Sequence, residues 1–158
     1  RAGVPLVGVD SHPGMLAHLA RRAPDIETHL SRIESLRLAE RFPRVIAPSN
    51  ILCTRPLLRA AARHLAPRGL LAFELLNPHW LEAGPHPRVR VTNRRRDEVD
   101  LEVDYETGHT QVAKVPLLWP EEVDRYCAAA HLRFRRLGAG DGALGLDEAP
   151  SFWVVAER

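Results

Sequence analysis

Val7-Gly8-Val9-Asp10-Ser11-His12-Pro13-Gly14-Met15-Leu16 is the stretch whose reading decides the fold. Residues 4–9 are an apolar run broken by Pro5 and Gly8, which reads as a buried strand running into a helix start. Ser11 is expected to cap that helix by accepting a bond from a free backbone N–H, and Pro13 suits a first turn whose N–H groups lack intrahelical partners. Met15, Leu16, Leu19 and Ala20 share one apolar face, and Arg21 and Arg22 fall at the end where the helix dipole favours cations. An acid at the carboxyl end of a buried parallel strand sits where open α/β sheets bind ligands, and its two oxygens can accept both hydroxyls of a ribose. The plainer alternative is that Asp10 caps the helix.

Outward from this stretch the pattern repeats. Pro24 ends the first helix, and Ile26, Thr28 and Leu30 alternate with Glu27 and His29 as a second strand does. Residues 44–47 form a third, very short strand. Residues 54–66 read as a helix rich in Leu and Ala, capped by Thr54 and stopped by Ala66-Pro67-Arg68-Gly69, before a buried strand over 70–75. Strands alternating with helices at these lengths imply crossover units and a largely parallel sheet.

The second half changes character. Val89 and Val91, then Val99, Leu101, Val103 and Tyr105, alternate with polar residues, and Thr107-Gly108-His109 supplies a turn before 111–115, so antiparallel strands are expected here. Pro120-Glu121-Glu122 opens another helix. Residues 132–137 and 152–156 read as two strands joined by a glycine-rich loop over 138–145.

Composition narrows the function classes. Of 158 residues, 45% are apolar and 27% charged, as in a soluble globular chain. A domain of this size buries roughly 68–70% of its unfolded surface, enough for a core without metal or disulfide staples. The net charge is +2, from 22 basic and 20 acidic residues, which is no footprint of a nucleic-acid binder. No apolar run approaches the ~20 residues of a membrane span. Cys53 and Cys127 make no C-x-x-C pair, so a reducing, cytoplasmic setting is expected. None of the 8 histidines forms an H-x-x-x-H pair, so no metal site is expected. Arg94-Arg95-Arg96-Asp97-Glu98 reads as a solvated mixed-charge cluster at a hairpin end.

The stretch around Asp10 resembles the second-strand motif of class I S-adenosylmethionine-dependent methyltransferases, whose strand-end acid holds the cofactor ribose and whose next helix often carries Met-Leu. Arg44-Val45-Ile46-Ala47-Pro48-Ser49-Asn50-Ile51-Leu52-Cys53 is similar to their fourth strand and cofactor-facing loop. His64-Leu65-Ala66-Pro67-Arg68-Gly69-Leu70-Leu71-Ala72-Phe73 resembles their helix, turn and fifth strand. Residues 119–134 and 152–156 match the late helix, sixth strand and seventh strand, in order along most of the chain. The resemblance implies an α/β Rossmann-like sheet, mostly parallel with a reversed last strand, carrying an antiparallel insert over 88–115.

It further implies S-adenosylmethionine as cofactor and a small-molecule methyl acceptor. Asp10 would hold the ribose, with Ser11 and Met15 bordering the adenosine and Ile33 packing on the adenine. Ala47, Ser49 and Asn50 would line the methionine side. Asn77 and His79, in Asn77-Pro78-His79-Trp80 after the fifth strand, are the candidate substrate residues, His79 as a proton acceptor; Trp80 can equally anchor the insert. No residue is singled out as catalytic.

Two departures stand out. The family's acid after the third strand, which bonds the adenine amino group, falls here on Arg32, leaving Glu34 as the substitute. The family's first strand and G-x-G-x-G loop, expected before Arg1, occur nowhere in the sequence. The expectation is one domain over 1–158, N-terminally incomplete. Two rivals remain open: a nicotinamide-dependent oxidoreductase, which a reversed last strand would disfavour, and a non-catalytic methyltransferase-like module that forms a homodimer through the insert.

Overall fold

The computed structural model describes residues 5–84, 86–139 and 144–158. Val4 of the expected first strand and residues 140–143 of the expected 138–145 loop lie outside them. The chain divides into two compact units, Arg1–Glu40 and Arg41–Arg158.

In the first unit, β1 (Val7–Asp10), α1 (Pro13–Arg22) and β2 (Glu27–Leu30) form a strand–helix–strand unit. The strands pair in parallel, Val7 opposite Glu27 and Asp10 opposite Leu30. A Cβ on Gly8 would come within 2.6 Å of Leu19 Cδ2, so the tip of that side chain would have to shift. The helix starts at Pro13 as expected, but its cap is His12, whose Nδ1 accepts from Gly14 N–H at 3.1 Å, and not Ser11. The reason is local: Asp10 Oδ1 takes the His12 N–H at 2.7 Å, closing an Asx-turn that moves the cap one residue on. The strand expected to be buried is only half-buried, with Val9 37% exposed. Parallel strands ordinarily need cover on both faces, and Leu36 is the one buried side chain among the described residues of this unit.

The second unit contains β3 (Phe42–Ala47), α2 (Arg55–Ala62), β4 (Leu65–Leu76), α3 (Pro78–Glu82), β5 (Val89–Arg94), β6 (Glu98–Asp104), β7 (Thr110–Pro116), a 3-10 turn at Pro120–Glu122, α4 (Val123–Ala128), β8 (Arg133–Ala139) and β9 (Ser151–Glu157). Its main sheet has the order β3-β4-β9-β8. β3 and β4 are parallel, while β9 runs antiparallel to both β4 and β8. That reversed last strand is the outcome that disfavours the dinucleotide oxidoreductase.

Alternation along the strands sets the core. Leu71, Phe73 and Leu75 face the same side as Ala156, Val154 and Phe152, their opposite numbers on β9, and all six are 0–1% exposed. Leu58, Ala60 and Ala61 of α2 and Tyr126 and Cys127 of α4 are buried with them. Each fully buried large side chain of this kind contributes about 1.5–3 kcal/mol of transfer free energy. The other face carries Ile46, Ala72, Glu74 and Trp153, with Ile46 68% exposed.

Two local expectations are corrected here. The 54–66 helix ends at Ala62, because β4 begins at Leu65, pairs with Phe42 and takes the chain into the sheet: pairing overrides the helix propensity of Ala and Leu. Thr54 occupies the cap position without a side-chain cap bond. The Ala66-Pro67-Arg68-Gly69 turn survives as a bulge, the register stepping from Phe42 opposite Leu65 to Arg44 opposite Leu70. Gly69 is required in it, since a Cβ would meet the Ala66 carbonyl oxygen at 2.8 Å.

The expected insert is a separate three-stranded antiparallel sheet, β5-β6-β7. Its inner face buries Val99 and Leu101 against Leu81 and Leu117, with Trp80 and Leu76 alongside. Trp80 therefore does the anchoring work, stacked on His86 at 3.4 Å between ring centroids. The arginine cluster at the β5–β6 turn is solvated and paired: Arg94 with Glu82, Arg95 with Glu98, and Arg96 with Glu122. Among the described residues, no helix is long and apolar enough to cross a membrane.

Candidate functional site

The candidate residues fall into the two units, and each group is built on the carboxyl end of a parallel strand. In the first unit Asp10 is the last residue of β1. One carboxylate oxygen is committed to His12 N–H at 2.7 Å; the other has no hydrogen-bond partner among the described residues. The Asp10 carbonyl accepts from Ser31 N–H at 3.0 Å, which carries the β1–β2 pairing on into the next loop. Asp10 thus shapes the helix entry without capping the helix, the cap being His12. Ser11 and Met15 are exposed beside it in the sequence.

The 31–36 loop brings Ile33 and Glu34 after β2. Ile33 is half-buried and Glu34 exposed. The Arg32 guanidinium lies 3.3 Å from Glu34 Oε1. The Glu34 carboxyl is held below its usual range first by hydrogen bonding to its own backbone and then by Arg32. Glu34, the candidate acid of this loop, is therefore already engaged with Arg32.

In the second unit, β3 ends at Ala47, which is buried, and the chain turns through Pro48, Ser49 and Asn50. Ser49 and Asn50 adopt φ of 61° and 59°, consecutive non-glycine residues in the left-handed region. Ser49 N–H donates to Glu74 Oε2 at 2.8 Å, Ser151 Oγ donates to Glu74 Oε1 at 2.7 Å, and Asn50 Oδ1 accepts from Leu76 N–H at 3.0 Å. A little further on, Tyr126 Oη donates to the Leu52 carbonyl at 2.7 Å. The turn is thus tied directly to β4, while Ser151 of β9 holds Glu74 and Tyr126 of α4 holds the following loop. The Asn50 side-chain oxygen is spent on this.

Asn77 and His79 sit at the far end of β4. Asn77 is fully buried; its amide donates to the Leu146 and Ala149 carbonyls and its oxygen accepts from His79 N–H. All its polar capacity is internal, so it cannot reach an acceptor molecule. His79 is half-exposed, its Nε2 3.5 Å from Glu121 Oε2 and its ring edge-on to Trp119 at 5.1 Å.

Sequence reasoning missed Glu74, Tyr126 and Glu121. Only Glu74 had a signal, a carboxylate two residues from the end of an otherwise apolar strand. The thiols are quiet: burial pushes Cys53 up from its ordinary value and Cys127 up to about 11, so neither is a ready nucleophile. Burial, then the neighbouring Cys53 and Cys127, also push the Tyr126 hydroxyl well up, keeping it a neutral donor. Among the described residues, no group of three or more His, Cys, Asp or Glu side chains is arranged to hold a metal ion.

The sequence matches no protein-family model and no curated protein. The fold does match solved structures. The CcbJ methyltransferase from Streptomyces caelestis superposes with a TM-score of 0.68 at 21% identity, over 98% of this chain and 79% of that one. CalS10 with bound S-adenosylmethionine, an amino pentose methyltransferase of calicheamicin biosynthesis from Micromonospora echinaspora, gives 0.70 at 23% identity, over 98% and 74%. The sugar N-methyltransferase KedS8 from Streptoalloteichus sp. gives 0.63 at 21% identity, over 94% and 70%.

Proposed function

The chain has the fold of the class I S-adenosylmethionine-dependent methyltransferases, and from that premise we propose that it is such an enzyme, acting on a small-molecule acceptor in the cytoplasm. The observation that carries the reading is Asp10: a strand-end carboxylate that spends one oxygen on the helix entry and keeps the other unbonded among the described residues. A vicinal diol is the ligand such a group suits best, because the ionised oxygen accepts a strong, charge-assisted bond. The residues present fit the cofactor in part. Asp10 would hold the ribose, Ser11 and Met15 would border the adenosine, and Ile33 would pack on the adenine. Glu34, engaged by Arg32, serves the adenine amino group less well than a free acid. Ala47 and the Ser49–Asn50 turn would line the methionine side.

When bound, the cofactor supplies a methyl group already activated by its sulfonium charge. The protein's share is then approach geometry, water exclusion and proton handling. His79 is the group for the acceptor proton: its side chain is half-exposed, with Nε2 3.5 Å from Glu121 Oε2. Asn77 serves by fixing the start of α3 and the His79 backbone. The named relatives that act on amino sugars favour an amine acceptor. Incubation of the complete natural chain with methyl-labelled S-adenosylmethionine and a panel of amines and alcohols tests this; transfer to an amine is expected, and no transfer to any acceptor, with no cofactor binding, defeats it.

The finer features of the reading are proposals of the same standing. The insert mediates a homodimer, supported by the outer sides of β5 and β7, which pair with no further strand among the described residues, and by Val112, 73% exposed on β7. Sedimentation should give a dimer that Val112→Lys dissociates; a monomeric wild type removes that part.

A further inference from the structure

We infer that Glu74 is a positioning residue: it holds the Ser49–Asn50 turn in a backbone conformation that the turn's own sequence does not favour. The inference rests on the proposed function for its ligand readout, while its structural half stands on geometry alone. Consecutive non-glycine residues at φ 61° and 59° are costly for L-amino acids, asparagine tolerating the region better than serine. Such backbone persists only where its surroundings over-determine it. Here they do so from one face of one strand. Glu74 and Leu76 alternate with the buried Phe73 and Leu75, so both present to the same side. Glu74 Oε2 accepts the Ser49 N–H at 2.8 Å, and the Leu76 N–H donates to Asn50 Oδ1 at 3.0 Å.

The carboxylate is itself aimed. Ser151 Oγ, on the neighbouring β9, donates to Oε1 at 2.7 Å, leaving Oε2 directed at the turn. A hydrogen bond from a backbone N–H to an ionised carboxylate is about twice as strong as a neutral one. The bond also spans 25 residues of sequence, so it couples the end of β3 to β4 directly. The turn is thereby set before any ligand arrives, which lowers the ordering cost of binding.

The test compares the complete natural chain with Glu74→Ala, Glu74→Gln, Ser151→Ala and the double variant Glu74→Ala with Ser49→Gly. Glutamine keeps an oxygen for Ser49 N–H and an amide that can donate to Ser151 Oγ; glycine reaches positive φ without a steric penalty. Two readouts are used, amide hydrogen exchange at residues 49 and 50 and calorimetric titration with S-adenosylhomocysteine. Glu74→Ala should speed exchange at Ser49 by about tenfold and weaken the ligand by about tenfold, as loss of a charged hydrogen bond implies, with Ala47 and Phe73 still protected. Glu74→Gln, which keeps a neutral bond, should fall between wild type and Glu74→Ala, and Ser49→Gly should recover ligand affinity in the Glu74→Ala background. Ser151→Ala, which leaves the turn untouched, should speed Ser49 exchange by a smaller factor, so the inference stays exposed even if Glu74→Ala unfolds. Unchanged Ser49 exchange in either Ser151→Ala or a folded Glu74→Ala overturns it, as does a glutamine variant as damaged as the alanine. If exchange responds as expected and the wild type binds no S-adenosylhomocysteine, the role of Glu74 in the turn stands and the methyltransferase reading falls.

Discussion

The Tyr126 hydroxyl donates to the Leu52 carbonyl at 2.7 Å, linking α4 to the loop between β3 and α2 across 74 residues of sequence. Tyr126 is 5% exposed and Leu52 fully buried, so neither partner has water to fall back on. Tyr126→Phe keeps the packing and strands the carbonyl. It should cost about 1–3 kcal/mol, the penalty of one buried unsatisfied group, as read by urea denaturation. A loss well below that range would mean that the loop relaxes to find water.

Asn77 and His79 should separate structure from chemistry. Asn77→Ala removes the donor to two carbonyls and the acceptor at the head of α3, and should destabilise by roughly 2–4 kcal/mol as a broken buried network does. His79→Ala should stay within about 0.5 kcal/mol of wild type, as half-exposed positions do, while lowering methyl transfer. Thermal denaturation paired with turnover checks both; a stable Asn77→Ala chain would contradict the internal role given to it.

The thiols and Tyr126 make stability fall at alkaline pH. Cys127 titrates at about 9 when exposed and is pushed up to about 11 by burial; Cys53 and Tyr126 are shifted in the same direction. Groups held neutral by the fold bind protons that the unfolded chain releases, so stability is full below pH 9 and declines as pH rises to 11. Denaturation midpoints across that window should drop, and Cys127→Ala should flatten the drop. Over the same range folded protein should react slowly with thiol reagents compared with unfolded protein.

Much of the fold could be read along the chain because its signals are local. Pro13 and Pro120 opened helical turns, Thr107-Gly108-His109 closed the β6–β7 hairpin, and the alternation of Val99, Leu101 and Val103 marked a one-sided strand. Failures came where a partner far along the chain decided the outcome. α2 stops at Ala62 because Leu65 pairs with Phe42, and His12 caps α1 because Asp10 turns back on its N–H. The half-burial of β1 reflects how few side chains its own unit brings against it. The site divides the same way. Asp10 could be picked out as a strand-end acid and Ala47 and Ser49 through the family resemblance, whereas Glu74, Tyr126 and Glu121 act through contacts with residues 25, 74 and 42 positions away, which the sequence does not pair with them.

The central claim is that the Asp10 carboxylate grips a nucleoside sugar, and calorimetric titration of S-adenosylmethionine into the complete wild-type chain and its Asp10→Ala variant tests it most directly. Binding by the wild type, weakened roughly ten- to a hundredfold in Asp10→Ala as the loss of one charge-assisted hydrogen bond implies, is the predicted result. Equal affinity in the two proteins would contradict the account.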